Sequence, residues 1–319
     1  MPESIEIARL IKRKAFDLGF SACGFAPADS LKEFETEYRD WLSSGKAGEM
    51  NFLARNIDVR LDPGKLVEGA KTVISLAAGY YFPLPQHTPG NPRISRYALG
   101  EDYHQVLKSL GKELLNWIQK EIGPVNGRIF TDSAPVFERE WARRAGIGWI
   151  GKNGCLIIPH QSSWFFLAEI VIDSEIRSET TVVPDRCGSC NHCIEACPTR
   201  ALTGDGSMDP RKCISYLTIE HRSDIPDEFY GQWKDWIFGC DICQDVCPWN
   251  NKPKMSSITE LKPRPGLSEI DRNFFRNQNA SSFGQIFDGT PVVRAGWSGI
   301  LKNFEFLKKD GSQCYSLID

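Results

Sequence analysis

The sequence predicts an α+β domain at the amino-terminal end, a small cysteine-rich domain after it and a short carboxy-terminal extension. Two observations support this division. Helical and strand periodicities mix along the first 180 residues, as is typical of an α/β or α+β architecture. Eight of the eleven cysteines then fall between Cys187 and Cys247. We therefore place the domains at residues 1–180, 181–250 and 251–319.

The first three predicted elements are two amphipathic helices on either side of a short strand. Residues 4–19 have apolar positions at helical spacing, and Gly19 is a suitable stop because glycine readily ends a helix. Residues 20–25 follow as a strand. Residues 31–42 then form an acidic amphipathic helix.

The later elements of the first domain are buried strands separated by helices. The run TVISLAAGYYF at 72–82 predicts a buried strand, and 103–122 predicts a long helix whose apolar residues recur at helical spacing. A further helix is predicted at 136–145. Short strands are predicted at 128–131, 156–159 and 164–173, of which the last two form a hairpin or neighbouring strands. The largely polar segment 174–186 links this domain to the next.

Two cysteine blocks that each end in Cys-Pro mark the second domain. The first, CGSCNHCIEACP from residue 187, has the spacing of the bacterial ferredoxin run, in which the fourth cysteine ligates the other of two clusters. The second, CDICQDVCP from residue 240, has Val246 where a third cysteine would stand, and Cys213 is the spare thiol between the blocks. Eight thiolates make two sets of four ligands and so predict two 4Fe–4S clusters.

The spacing also predicts how the thiols are shared between the clusters. The first set is Cys187, Cys190, Cys193 and Cys247, and the second is Cys240, Cys243, Cys197 and Cys213. Zinc is an alternative, but zinc sites usually use separated Cys-x2-Cys pairs. A disulfide framework is disfavoured because the opening MPESIEIARLIKRK has no apolar signal core, so a reducing cytoplasm is expected.

Composition narrows the classes of partner. The net charge of −3 is not the basic excess typical of nucleic-acid-binding proteins, although basic groups occur locally at 139–152, 252–264 and 302–309. The longest apolar stretches fall short of membrane-spanning length, so no membrane association is expected.

A formal G-x-G-x-x-G motif at 146–151 lacks the context of a dinucleotide site. Such a site requires a strand before the motif and a helix after it. Here the predicted helix 136–145 precedes it and the strand-like 156–159 follows. We interpret the motif as a glycine-rich turn, where glycine also permits close approach of a bulky ligand.

A corrinoid is compatible with the sequence but is not demonstrated by it. The usual source of a histidine ligand to cobalt, Asp-x-His-x-x-Gly, is incomplete here. Asp102 and His104 have the required spacing, but Leu107 stands where glycine is needed. A bound corrinoid would therefore have no motif-supplied histidine ligand, which leaves a face of the cobalt open for chemistry.

Asp132 is the carboxylate that stands out in the first domain. It follows the strand 128–131 and precedes the step into the next helix, and active-site residues often occupy such junctions. The alternative is an aspartate that caps the helix after Pro135, which position alone favours. Glu138 and Glu140 are expected to be surface or salt-bridge residues of that helix.

Taken together, seven motifs resemble the epoxyqueuosine reductase family. They occur in the same order over roughly residues 1–300, which is more specific than the ferredoxin spacing alone. The motifs are MNFLARN (50–56), GEDYHQVLK (100–108), TDSAPVFERE (131–140), AGIGWIGKNGCLI (145–157), CGSCNHCIEACPTRAL (187–202), CISYLTIEHR (213–222) and FGCDICQDVCPWN (238–250).

The resemblance implies a fold and an activity. The fold is a nitroreductase/reductive-dehalogenase-like cobalamin-binding domain followed by a bacterial-ferredoxin-like two-cluster domain. The activity is the last step of queuosine synthesis, in which electrons pass from the two 4Fe–4S clusters to cobalamin. Epoxyqueuosine at the wobble position of tRNAs with GUN anticodons then accepts two electrons and two protons. The partners implied are the tRNA anticodon loop and an external electron donor, for a monomeric cytoplasmic enzyme.

The resemblance also implies roles for individual residues. Asp132 becomes the proton donor instead of a cap, and burial beside the corrin would raise its pKa. Asp132 also belongs to the implied cobalamin-contacting residues, which are completed by Arg55, Tyr103, Lys152, Ser215 and Asp241. The remaining cysteines are assigned no function; they are Cys23, Cys155 and Cys314.

Two other functions stay open at the level of sequence. A ferredoxin-type module serving a partner enzyme explains the cysteines but leaves the first 180 residues without a purpose. A corrinoid reductase of a small molecule such as an organohalide is the other, although such enzymes usually carry export signals. Family members often continue after 289–303 with an apolar helical segment. This chain reads FEFLKKDGSQCYSLID there, so we expect the tRNA contacts of such an extension to be missing or replaced.

Overall fold

The structure is a computed structural model that describes residues 4–205, 207–271 and 273–309. Cys314 lies outside this range. The described helices are α1 (Ser4–Asp17), α2 (Glu35–Ser43), α3 (Ile57–Leu61), α4 (Tyr103–Glu121), α5 (Glu138–Arg144), α6 (His192–Ala196), α7 (Ile214–Ile219), α8 (Ile242–Asp245), α9 (Ala280–Phe287) and α10 (Gly296–Lys309). The described strands are β1 (Ala22–Pro27), β2 (Thr72–Gly79), β3 (Arg93–Ile94), β4 (Gly127–Phe130), β5 (Trp149–Ile150), β6 (Leu156–Ile157), β7 (Phe165–Ile172) and β8 (Trp236–Phe238).

A four-stranded antiparallel sheet forms the centre of the first domain, in the order β1-β2-β7-β4. Every residue of β2 is buried, because successive side chains point to opposite faces and both faces are covered. Ile74 and Leu76 pack on the face covered by α1 and α4, whereas Val73 and Ala77 pack on the face covered by α5. The mixed helix and strand architecture confirms the predicted α+β class.

The predicted pairing of 156–159 with 164–173 is wrong. β6 pairs with β5, and β7 instead lies between β2 and β4 in the main sheet. The glycine motif makes the hairpin of β5 and β6 possible. A Cβ on Gly148 would lie 2.2 Å from the carbonyl oxygen of Ile157, so only glycine allows the two strands to approach. The motif is thus part of a hairpin that follows α5, as expected for a structural turn and not for a dinucleotide site.

A second core joins three separate parts of the chain. It contains Trp233 and Phe238 from the cysteine-rich region, Leu99 from the first domain, and Phe287 and Phe304 from the carboxy-terminal helices. Within α10, residues 304–309 continue the helix. The carboxy-terminal extension, as far as it is described, is therefore packed into the body of the protein. None of the described helices is both long and apolar enough to cross a membrane.

Candidate active site and cysteine sets

Asp132 lies in the loop between β4 and α5 with its backbone in the left-handed region, at φ 50°. Few non-glycine residues adopt this conformation, although aspartate tolerates it better than most. Helix α5 begins at Glu138, and its N-cap residue is Phe137, which makes no side-chain cap. Asp132 therefore does not cap the helix, and the capping alternative is wrong.

His104 connects Asp132 to a second carboxylate. Its Nε2 atom lies 2.7 Å from Oδ2 of Asp132, and its Nδ1 atom lies 2.6 Å from Oδ1 of Asp102. Asp102 is also the N-cap of α4, because the same oxygen accepts the backbone N–H of His104 at 3.0 Å. The helix start thus fixes the position of the imidazole. The side chain of Asp132 is 48% exposed, so its carboxylate can be reached from outside.

The electrostatics of the pair place a proton on the imidazole. Partial burial raises the pKa of Asp132, but hydrogen bonds from His104 and Tyr103 and the charge of Arg294 lower it by more, so the net pKa lies below its ordinary value. Burial lowers the pKa of His104, but Asp132 and Asp102 raise it by more. The resemblance implies a raised pKa of Asp132 on burial beside the corrin, and that expectation stays a prediction; in the protein alone, His104 lies beside Asp132 and keeps its pKa low.

Aromatic rings surround the pair and extend toward the cysteines. The ring of Tyr103 is stacked between that of Phe166, at 4.0 Å, and that of His104, at 4.1 Å. The ring centroid of Tyr97 lies 6.2 Å from that of Tyr103 and 6.1 Å from that of Phe238. Phe238 lies two residues before the second cysteine block. Burial raises the pKa of Tyr97, and the carboxylates of Asp132 and Asp241 raise it further. Tyr97 thus lies between the Asp132 site and the cysteine-rich region.

Two further acidic residues continue inward from Asp132: Glu138 contacts Asp132, and the buried Glu169 lies next to Glu138. Glu138 accepts the backbone N–H of Asp132, and burial raises its pKa to about 8. Glu169, on β7, is fully buried; burial and the neighbouring Glu138 raise its pKa, and Ser75 donates a hydrogen bond to it at 3.2 Å. Glu138 was expected at the surface or in a salt bridge, and only the tertiary structure brings it here. Glu140 does form the expected salt bridges, with Arg143 and Arg144.

The first predicted set of thiols surrounds one cavity. The cavity has a volume of about 280 Å³ and its lining includes Cys187, Cys190, Cys193 and Cys247. Lys152 lies at its edge and donates hydrogen bonds to the carbonyl oxygens of Gly188 and Cys190, at 2.8 and 3.1 Å. Lys152, which the resemblance assigned to cobalamin, therefore holds the loop of the first cysteine block.

The second predicted set lies deeper and is brought together by α6, α7 and α8. Burial raises the pKa of Cys240, and the adjacent Cys213 and Cys197 contribute in the same direction. Burial likewise raises the pKa of Cys213, with Cys197 among its neighbours. In the described part of the chain, no group of three or more His, Cys, Asp or Glu side chains is arranged so that it could hold a single metal ion.

Cys155 is a ninth thiol in this region, and sequence reasoning assigned it no role. It follows the glycine hairpin and lies beside Cys243 of the second set. Its backbone N–H is bound by the side chain of Asn153, whose amide group also reaches the carbonyl oxygen of Cys243. No sequence spacing could reveal this contact, because it joins segments that are 88 residues apart.

The other predicted cofactor-binding residues are dispersed. Asp241 is only 2% exposed, and its oxygens accept hydrogen bonds from the hydroxyl of Ser95 and, at 2.9 Å, the backbone N–H of Arg96. Burial raises the pKa of Asp241 to about 6. Arg55 is exposed after the 3-10 turn Asn51–Ala54, and Ser215 is half-buried on α7. The hydrogen bonds that Asp241 accepts from Ser95 and Arg96 thus connect the cysteine-rich region to the first domain.

Comparison with known proteins gives a consistent result over most of the chain. The family model "Epoxyqueuosine reductase QueG, DUF1730" matches residues 60–133, and the model of a 4Fe-4S double cluster binding domain matches residues 186–250. An epoxyqueuosine reductase from Cyclobacterium marinum is 43% identical over 95% of this chain and 97% of its own length.

Solved structures agree with the sequence comparison. Epoxyqueuosine reductase from Streptococcus thermophilus is 32% identical, with a TM-score of 0.86 over 96% of this chain and 82% of that one. Another epoxyqueuosine reductase, solved with an epoxyqueuosine-modified stem loop of tyrosine tRNA, is 27% identical, with a TM-score of 0.86 over 96% of this chain and 83% of that one.

Proposed function

The chain belongs to the epoxyqueuosine reductase family, and we propose that it reduces epoxyqueuosine to queuosine at the wobble position of tRNAs with GUN anticodons. The observation that carries the proposal is the match to such a reductase over 95% of this chain, in a chain that also holds the Asp132 site and two sets of four thiols. The reaction removes the epoxide oxygen as water and leaves an alkene, which requires two electrons and two protons.

The electrons are assigned to the cysteine-rich region. The four thiols around the 280 Å³ cavity fit one 4Fe–4S cluster, and the deeper four thiols fit the other. The ligand sets are those of the sequence prediction, namely Cys187, Cys190, Cys193 and Cys247 for the first cluster, and Cys197, Cys213, Cys240 and Cys243 for the second. An external one-electron donor supplies the clusters.

The cofactor assigned to the first domain is cobalamin. When bound, a corrinoid supplies strongly reducing electrons at the substrate. The arrangement of His104 fits such a group, because both of its ring nitrogens are bound to carboxylates and it offers no ligand to cobalt. The candidate contacts are Arg55, Tyr103, Asp132, Lys152, Ser215 and Asp241; among these, Tyr103 is best placed, because its ring lies beside Asp132.

Asp132 is the residue that delivers protons to the epoxide oxygen. Breaking a carbon–oxygen bond of the epoxide places negative charge on that oxygen, and a positioned carboxylic acid neutralises it. The left-handed backbone and the contact with Glu138 hold the loop in the conformation in which the Asp132 carboxylate meets His104. To reach it, the wobble nucleotide turns out of the anticodon loop.

The test is an anaerobic assay with tRNA that carries epoxyqueuosine, with and without cobalamin, followed by nucleoside mass analysis. We expect the modified nucleoside to lose one oxygen atom only when cobalamin is present. A protein that binds iron but gives no corrinoid absorbance after reconstitution, and leaves the epoxide intact, would instead be an electron-transfer module for a partner enzyme.

A further inference from the structure

A hydrogen-bonded series joins Asp102, His104 and Asp132. The proposed reaction gives a role only to Asp132, as the proton donor. The two contacts of the imidazole are short, at 2.6 and 2.7 Å, and each ring nitrogen has its own carboxylate. We propose that Asp102 and His104 form a relay that returns a proton to Asp132 each time it donates one. This inference rests on the proposed reductase function and deepens it.

The proton balance of the reaction creates the need for a relay. The first carbon–oxygen bond of the epoxide breaks and the oxygen takes one proton. The second bond then breaks as the alkene forms, and the oxygen leaves with a second proton as water. The two electrons come from the external one-electron donor through the clusters. Asp132 holds one proton at a time, so it must be reprotonated within each turnover.

Asp102 determines which nitrogen of His104 takes part. Its carboxylate accepts the N–H at Nδ1, so Nε2 always faces Asp132. In the charged imidazole, Nε2 donates a proton to Asp132. In the neutral imidazole, the same nitrogen can accept one, and a proton from solvent restores the charge. Asp102 is therefore a positioning residue, and His104 acts through Asp132 without touching the substrate.

The other charged and titratable groups around the relay do not replace it. Glu138 binds the backbone N–H of Asp132, so it orients the loop. Tyr103 and Tyr97 have pKa values raised above their ordinary range, chiefly by burial, and stay protonated. Arg294 lowers the pKa of Asp132 by its charge. Glu138 also titrates near neutral pH, because burial raises its pKa to about 8, but it meets the backbone N–H of Asp132 and not its carboxylate. His104 is thus the group with an ordinary pKa near neutral that touches the Asp132 carboxylate, and it is suited to exchange a proton with it.

The test compares His104→Gln and Asp102→Asn in single-turnover experiments with pre-reduced holoenzyme, so that electron supply does not limit the rate. Asparagine is as good an N-cap as aspartate, so Asp102→Asn keeps the start of α4 while changing the partner of Nδ1. We expect His104→Gln to slow oxygen loss by on the order of 10²-fold. Asp102→Asn should cause a smaller loss.

The pH profile separates a relay from a structural role. The pKa of His104 is raised, so the wild-type rate should persist to a pH above the ordinary histidine range and fall at higher pH. In His104→Gln the proton is held by the carboxyl group of Asp132 alone, and the fall should move to lower pH. Added imidazole should restore part of the rate of His104→Ala.

The control is His87→Gln, since His87 is also half-buried and its Nε2 atom binds a backbone carbonyl outside the site. It should leave the rate and the pH profile unchanged. A wild-type rate and pH profile in His104→Gln would overturn the relay while the reductase function stands. Failure of the wild-type protein to remove the epoxide oxygen would instead overturn the proposed function itself.

Discussion

The molecule has a cysteine-rich part and an acid–base part, and they differ in how their functional residues are brought together. In the first, seven of the eight thiols come from two short blocks whose spacing is visible in the sequence. In the second, Asp102 and His104 reach Asp132 only because α4 begins beside the end of β4. The ligands of a cluster can therefore be recognised from their spacing in the sequence. The acid–base residues are brought together only by packing between distant segments.

The largest expected effect is the loss of one cluster, and it tests whether the ligand sets assigned from the sequence spacing are right. Cys197→Ser should remove the cluster that contains Cys240 and Cys243 and keep the one nearest to it in sequence, because the fourth thiol of the first block belongs to the other set. Turnover should be lost. Electron paramagnetic resonance of the reduced protein measures which cluster remains.

The mirror variant for this experiment is Cys187→Ser. It should remove the cluster at the 280 Å³ cavity and leave the deeper one. If both variants lost the same cluster, the crossed assignment of ligands would be wrong.

A smaller effect is expected at the hairpin that joins the two parts. In Gly148→Ala, the new methyl group would lie 2.2 Å from the carbonyl oxygen of Ile157. Such overpacking should lower the free energy of unfolding by about 1–3 kcal/mol, measured by denaturant titration. The hairpin also carries Trp149, which packs against Trp249 beside the first set of thiols, so cluster retention should fall in parallel.

The matched control is Gly284→Ala on α9, where a Cβ would meet nothing within 4 Å. There, alanine should raise the stability slightly, by about 0.5–1 kcal/mol, because glycine is costly inside a helix. Equal stability changes in the two variants would contradict the role given to Gly148.

The smallest effect concerns Cys155. Cys155 lies beside Cys243. Once Cys243 ligates a cluster it carries no proton, so only Cys155 can donate a hydrogen bond between the two. Such a donor stabilises the more negative reduced cluster, and Cys155→Ala should therefore lower the reduction potential of the deeper cluster. Cys23→Ala, which removes another buried thiol from β1, is the control, and an unchanged potential in Cys155→Ala would exclude the contact as a tuning element.

The sequence predicted the central strands because their apolar runs are long and buried on both faces. It did not predict which strand β6 joins, since 156–159 and 164–173 are equally apolar and only the close approach at Gly148 decides the pairing. For a related reason, the hydrogen bond between His104 and Asp132 was not predicted. A neighbour that lies 28 positions away in the chain, His104, outweighs the effect of burial.

The central claim is that Asp132 supplies the protons while the cysteine sets supply the electrons. It is tested most directly with Asp132→Asn and, as a surface control, Asp40→Asn on the exposed side of α2. Both proteins are reduced anaerobically and mixed with epoxyqueuosine tRNA, and the cluster signals and the nucleoside mass are measured in the same samples. We predict normal reduction of both clusters in both variants and loss of the oxygen atom only in Asp40→Asn. Oxygen loss at the wild-type rate in Asp132→Asn would contradict the claim.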